Sequence, residues 1–220
     1  MVEACVDSMA TSLGAEAAGA GRLELCGSGI GGTTPSYGLM ALVRERVRIP
    51  IHVMIRPREG NFVYSDDEFD VMCRDIKAAR SARVDGVVFG ILRADSTIDE
   101  QRMAQLVEEA RPMRVGCHRA FDATPNADQA LDALLRLSVD VVLTSGHAPT
   151  ALDGVSQLAA HRVSAGTALT ILAGGGVRAD NVKQILTKAG VADVHVRATD
   201  TAVFAAVLEQ LGRRPMGSQS

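Results

Sequence analysis

Short apolar runs recur along the chain, each separated from the next by a stretch long enough for a helix. Eight of them read as strands: residues 2–6, 22–26, 51–55, 86–91, 115–118, 139–143, 169–173 and 194–196. The segments between carry helix signals. Ser65 and Glu68 form a capping box ahead of Phe69, Met72, Cys73 and Ile76, which are spaced as one helix face. Thr34-Pro35 and Thr124-Pro125 each place a cap before a proline at the first helical position. Asp180 opens a helix with Val182, Ile185 and Leu186 inward. Segments 8–18 and 153–163 read as weaker helices, interrupted or flanked by glycine.

Strands alternating with helices pair in parallel through helical crossovers. Eight such units in 220 residues predict a (β/α)8 TIM barrel forming one domain over residues 1–212, with residues 213–220 as a loose tail. The alternative is an open doubly wound sheet. The strand count favours closure, as does the lack of a dinucleotide fingerprint at any strand–helix junction.

Strands buried on both faces are normally apolar throughout, and these are not. Glu3, Cys5 and Asp7 share one face of the first strand, and Glu24 and Cys26 share one of the second. His52, Met54 and Arg56 do so on the third, and His195 and Arg197 on the eighth. His118 ends the fifth, and Thr144 and Ser145 follow the sixth. Ala4, Val6, Leu23, Leu25, Val53 and Ile55 take the opposite parity and should meet the helices, so the polar parity belongs to the barrel interior. Unpaired buried polar groups cost roughly 1–3 kcal/mol each. The set therefore forms either an ion-pair layer, for example Glu24 with Arg56, or a site.

Barrel sites lie at the C-terminal strand ends. Cys5 and Cys26, on adjacent strands and at similar heights, are either core cysteines or two thiolates converging on a metal ion. Soft thiolates select Cu(I) or Zn, and a thioether such as Met54 favours Cu(I). Cys73 and Cys117 read as packing residues. Gly174, Gly175 and Gly176 follow the seventh strand, and the loop is either a tight turn or an anion-binding cradle assisted by Arg178 and Arg197. In the second case the protein is an enzyme of small anionic or phosphorylated metabolites, with Arg56, His118, Arg119 and Asp122 as catalytic candidates. A binding module without chemistry is a third possibility.

Composition narrows the classes. A net charge of -3 without a basic cluster argues against nucleic acid as a partner. No apolar run is long enough to span a membrane. The opening residues carry an acid and lack a basic signal region, and the four cysteines are unclustered, which points to free thiols and a cytoplasmic location. No organic cofactor motif is present.

Several words of the sequence, in order, closely resemble the CutC copper-homeostasis family. They are EACVDS (3–8), RLELC followed by GGTTPSYG (22–38), HVMIRPR (52–58), VYSDDE (63–68), HRAFD (118–122), VLTSG (142–146) and AGGG (173–176). The resemblance implies a cytoplasmic (β/α)8 barrel, a homo-oligomer (dimer or tetramer), and Cu(I) bound by Cys5 and Cys26; strand parity adds Met54 and His118 as candidate outer ligands. This chain departs from the family pattern at Glu59 and Asn61, at Cys117, and at Arg197 to Thr199, all at or near the barrel top.

Overall fold

A computed structural model of the chain describes residues 1–29 and 31–212. The predicted tail, 213–220, lies outside the described residues. Eight parallel strands close into a barrel in sequence order: β1 (Val2–Val6), β2 (Arg22–Leu25), β3 (Ile51–Met54), β4 (Gly86–Phe89), β5 (Arg114–Cys117), β6 (Val141–Thr144), β7 (Thr170–Ala173) and β8 (Asp193–Arg197). The ladder closes where Glu3 of β1 faces His195 of β8. No open sheet edge remains, so the doubly wound alternative is excluded.

The helices are α1 (Met9–Ala18), α2 (Tyr37–Arg46), α3 (Asp66–Ser81), α4 (Glu100–Ala110), α5 (Ala127–Arg136), α6 (Val155–Ala165), α7 (Val182–Ala189) and α8 (Thr201–Gln210). No helix among the described residues is long and apolar enough to cross a membrane. The capping box at Ser65 and Glu68 forms as predicted, and Ser8 caps α1 in the same manner with Thr11. Three predicted starts are displaced. Ser36 caps α2 and Asn126 caps α5, each two residues beyond the expected threonine, and α7 begins after Asn181 rather than Asp180. The threonines are engaged elsewhere. Thr34 Oγ1 accepts from the backbone N–H of Arg56, and Thr124 Oγ1 donates to the carbonyl of Phe121.

Strand parity divides the core. Ala4, Val6, Leu23, Leu25, Val53, Ile55, Val87, Phe89, Val115 and Cys117 belong to one continuous shell between strands and helices. Inside the barrel lie two small separate clusters, one of Cys26, Met54 and Val88 with Cys5 against it, the other of Val141, Leu143 and Leu172. From β8 through β1 and β2 to β3 the interior is polar; on β4 to β7 it is formed by Gly86, Val88, Gly116, Val141, Leu143 and Leu172, with His118 just beyond β5. Gly86 is glycine for a steric reason: a Cβ there would stand 2.5 Å from Cδ2 of the His52 ring. The bare backbone lets that imidazole lie across the barrel floor.

Candidate functional site

Glu3, Arg22, Glu24, Cys5, Cys26 and His195 form one connected network inside the polar half. Glu3 is buried between two cations. Arg22 Nε donates to its Oε2, and His195 Nδ1 lies 2.8 Å from its Oε1. The other imidazole nitrogen, Nε2, is 3.8 Å from Glu24 Oε2. Cys26 Sγ lies 3.6 Å from Glu24 Oε2 and 4.0 Å from Cys5 Sγ.

Burial works against the Glu3 carboxylate, but the His195 hydrogen bond and the Arg22 charge prevail and hold its pKa at about 2. For Glu24 burial prevails over the opposing His195 charge, helped by the neighbouring Cys5 and Glu3 charges, and lifts its carboxyl to about 8. For His195, the opposing effect of burial is outweighed by Glu24, Cys5 and Glu3, and its pKa stands well above the usual range. The hydrogen bond from Cys26 holds the Cys5 thiol well below the ordinary thiol value despite burial. The same contact, with burial, pushes Cys26 well above it. The shifts favour negative charge on Glu3 and Cys5 and positive charge on His195, and the protonated forms of Glu24 and Cys26.

Above the network opens a chamber of about 520 Å³ at the C-terminal end of the barrel. Cys5, Cys26, Met54 and Glu24 line one side of it, and His118, Arg119, Gly175 and Gly176 line another. The loop that follows Cys26 brings Gly32 over the thiol side. It is closed by the bridge between Gly27 and Thr33 and pinned where Arg56 Nη1 donates to the Gly32 carbonyl at 3.0 Å. Gly32 has φ +77° and passes so close that a Cβ there would stand 2.8 Å from Cys26 Sγ.

The sequence matches the CutC family over residues 1–200. It is 45% identical over 199 residues to a CutC family protein of Mesorhizobium japonicum, covering 90% of this chain and 77% of that one. A mouse protein named copper homeostasis protein cutC homolog is 43% identical over 200 residues, covering 90% and 73%.

The chain belongs to the CutC family.

The crystal structure of a CutC protein from Streptococcus agalactiae agrees with this fold at a TM-score of 0.85 and 32% identity, over 90% of this chain and 99% of that one.

In this CutC barrel the sequence-predicted residues separate into those brought together and those turned aside. Cys5, Glu24 and Cys26 present ligand atoms within 4.8 Å of one another, as do Glu3, Glu24 and His195. Met54 packs with Cys26 and Cys5. His118 belongs to neither ligand-distance group but lines the chamber, as do Arg56, Arg119, Arg178 and Arg197. Asp122 is turned away from the chamber lining: its carboxylate accepts from Thr144 Oγ1 at 2.5 Å, from Arg119 Nε at 2.7 Å and from the Ser145 backbone. Those bonds outweigh burial and hold its pKa below the usual carboxylate value. Thr144 shares that outward cluster, because its parity is opposite to that of interior Leu143. Gly174 is packed against Leu143 and His195 rather than exposed in the chamber.

Two expectations are corrected. Glu24 forms no ion pair with Arg56; its nearest cation is His195. Cys5 and Cys26 are not level, since the residue facing Cys5 on β2 is Glu24, and Cys26 stands one pleat further up. The sequence reading missed Arg22, which closes the network from below. Its parity with Glu24 and Cys26 was the available signal.

Proposed function

We propose that this protein serves copper homeostasis by holding Cu(I) between the thiolates of Cys5 and Cys26 at the barrel mouth. The observation that carries this reading is the 4.0 Å separation of the two sulfurs. Thiolate–metal bonds are about 2.3 Å long for a first-row ion, so both sulfurs reach one ion without backbone movement. The copper is cargo, and the chain supplies a soft, partly enclosed cradle for it.

The surrounding groups suit that role. Cys5 is the thiolate of the pair, and Cys26 releases its proton when the metal arrives, as thiol ligands must. The thioether of Met54, packed beside both cysteines, selects Cu(I) over harder ions. His195 beneath the pair balances its negative charge. Thiols kept free in this way need a reducing compartment, which supports the cytoplasm as the place of action.

X-ray absorption on the Cu(I)-loaded protein tests the ligand set. Two sulfur scatterers in the wild type, lost in Cys5→Ser/Cys26→Ser, support the reading. Nitrogen or oxygen scatterers alone, or an identical spectrum in the double variant, overturn it.

A further inference from the structure

The thiol pair uses one side of the chamber. The other side, formed by the ends of β5, β6 and β7, carries polar groups that the copper reading leaves without a task. The foremost is His118. It is 4% exposed, and its Nε2 has no hydrogen-bond partner among the described residues. The backbone N–H of Ala120 donates to His118 Nδ1 at 3.2 Å, so Nδ1 carries no proton. The ring's Nδ1–Cε1 edge is packed against Gly90, where a Cβ would stand 2.9 Å from Cε1 and 3.0 Å from Nδ1. Burial, together with the Arg56 charge, keeps the imidazole neutral, with a pKa of about 3. The proton therefore resides on Nε2, on the ring edge away from Gly90, in a side chain that lines the chamber. A buried N–H donor left without an acceptor costs about as much as a lost hydrogen bond. A ligand acceptor removes that cost.

Arg119 is the second group. Asp122 holds its Nε at 2.7 Å and Ser145 Oγ holds its Nη2 at 2.8 Å, which fixes the guanidinium, and among the described residues Nη1 has no hydrogen-bond acceptor. A Cβ on Gly175 would lie 3.4 Å from that Nη1, so the cation rests against the 174–176 loop. The third group is backbone. Gly175 and Gly176 have φ of +102° and +71°, and no described residue accepts from the N–H groups of Gly175, Gly176 or Val177. All three of these residues line the chamber. Successive N–H groups in such a turn form an anion-binding concavity. Arg56, Arg178 and Arg197 also line the chamber and add positive charge to it.

We propose that this side of the chamber binds the phosphoryl group of a small phosphorylated metabolite, its oxygens accepting from His118 Nε2, Arg119 Nη1 and the backbone N–H groups of residues 175–177. A chamber of about 520 Å³ accommodates such a metabolite. A tripod of one cation, one neutral donor and a backbone turn suits the three oxygens of a phosphoryl group better than the two of a carboxylate. The site is independent of the thiols.

Titration of the full-length, metal-free, reduced protein with inorganic phosphate tests this, with acetate as a parallel arm. The expected result is saturable one-site binding of phosphate, with acetate weaker by about tenfold or more. Arg119→Gln and His118→Phe should each weaken phosphate about tenfold or more, and Cys5→Ser/Cys26→Ser should leave it unchanged. Amide NMR of the wild type provides a check that needs no variant: phosphate should shift the resonances of Gly175, Gly176 and Val177. Absence of saturable binding, shifts confined to other residues, or full affinity in Arg119→Gln overturns the site. Acetate binding as tightly as phosphate overturns the phosphoryl assignment.

Discussion

The sulfur atoms of Cys5 and Cys26 lie 4.0 Å apart even though the residue facing Cys5 across the β1–β2 ladder is Glu24. The thiol of Cys26 reaches Cys5 diagonally, from the first residue beyond its strand. That position places its sulfur directly beneath Gly32.

The asymmetry of the pair predicts its reactivity. Cys5 is the partly buried thiolate, while Cys73 is shifted upward by burial and Cys117 is pushed up to about 12. Alkylation by iodoacetamide at pH 7, followed by peptide mass spectrometry, should label Cys5 first. Prior loading with Cu(I) should protect it. Labelling of Cys117 ahead of Cys5 would contradict the assigned protonation states.

Gly32 is the loop position at which a side chain would meet the Cys26 thiol. Gly32→Ala puts a Cβ 2.8 Å from Cys26 Sγ at a φ of +77°. The strained backbone should cost about 1–3 kcal/mol, and the displaced sulfur should lower Cu(I) affinity about tenfold. Thermal melts and a copper competition assay read the two effects separately. Wild-type values in both would show that the loop does not set the thiol geometry.

Glu3 joins two buried cations. Glu3→Gln leaves the Arg22 guanidinium, 5% exposed, without a carboxylate and removes the anion beside His195. Breaking a buried pair in this way costs about 3–5 kcal/mol. Urea unfolding at pH 7 should show the loss as a lower midpoint, and a change under about 1 kcal/mol would count against a structural role for the network.

His52 predicts an acid-sensitive floor. Burial, then the Arg22 charge, lowers its pKa from 6.5 to about 4. The unfolded chain binds this proton first, so stability present above pH 6.5 is lost as pH falls toward 4, by roughly 3 kcal/mol in all. Glu24 has the opposite sign: with its pKa raised from 4.5 to about 8, its contribution is lost as pH rises through that window. The His52 share is therefore the difference in pH slope between wild type and His52→Gln. Equal slopes between pH 6.5 and 4 would refute it.

Much of this was legible in the sequence because a barrel strand has only two faces. Alternation alone placed Glu24, Cys26, His52 and Met54 inside and Leu23, Leu25 and Val53 outside. Register was not legible: nothing in the sequence says which residue of β1 meets Glu24, so the diagonal thiol contact and the choice of His195 as Glu24's neighbour emerged only in three dimensions. Asp122 and Thr144 looked like site residues by position, yet they satisfy each other outside the chamber. The displaced helix starts have a similar origin, since Thr34 and Thr124 are good caps whose hydroxyls are engaged elsewhere, Thr34 by the Arg56 backbone and Thr124 by the Phe121 carbonyl. Of the glycines after β7, Gly174 serves packing while Gly175 and Gly176 face the chamber, a division that depends on Leu143 and Arg119.

Anaerobic competition of the metal-free protein against a chromophoric Cu(I) chelator tests the central claim most directly. Wild type should withdraw one Cu(I) per chain, and Cys5→Ser/Cys26→Ser should lose at least about a hundredfold in affinity, two thiolate bonds having been removed. Each single variant should fall between the two. Equal affinities for wild type and the double variant would contradict copper binding at this thiol pair.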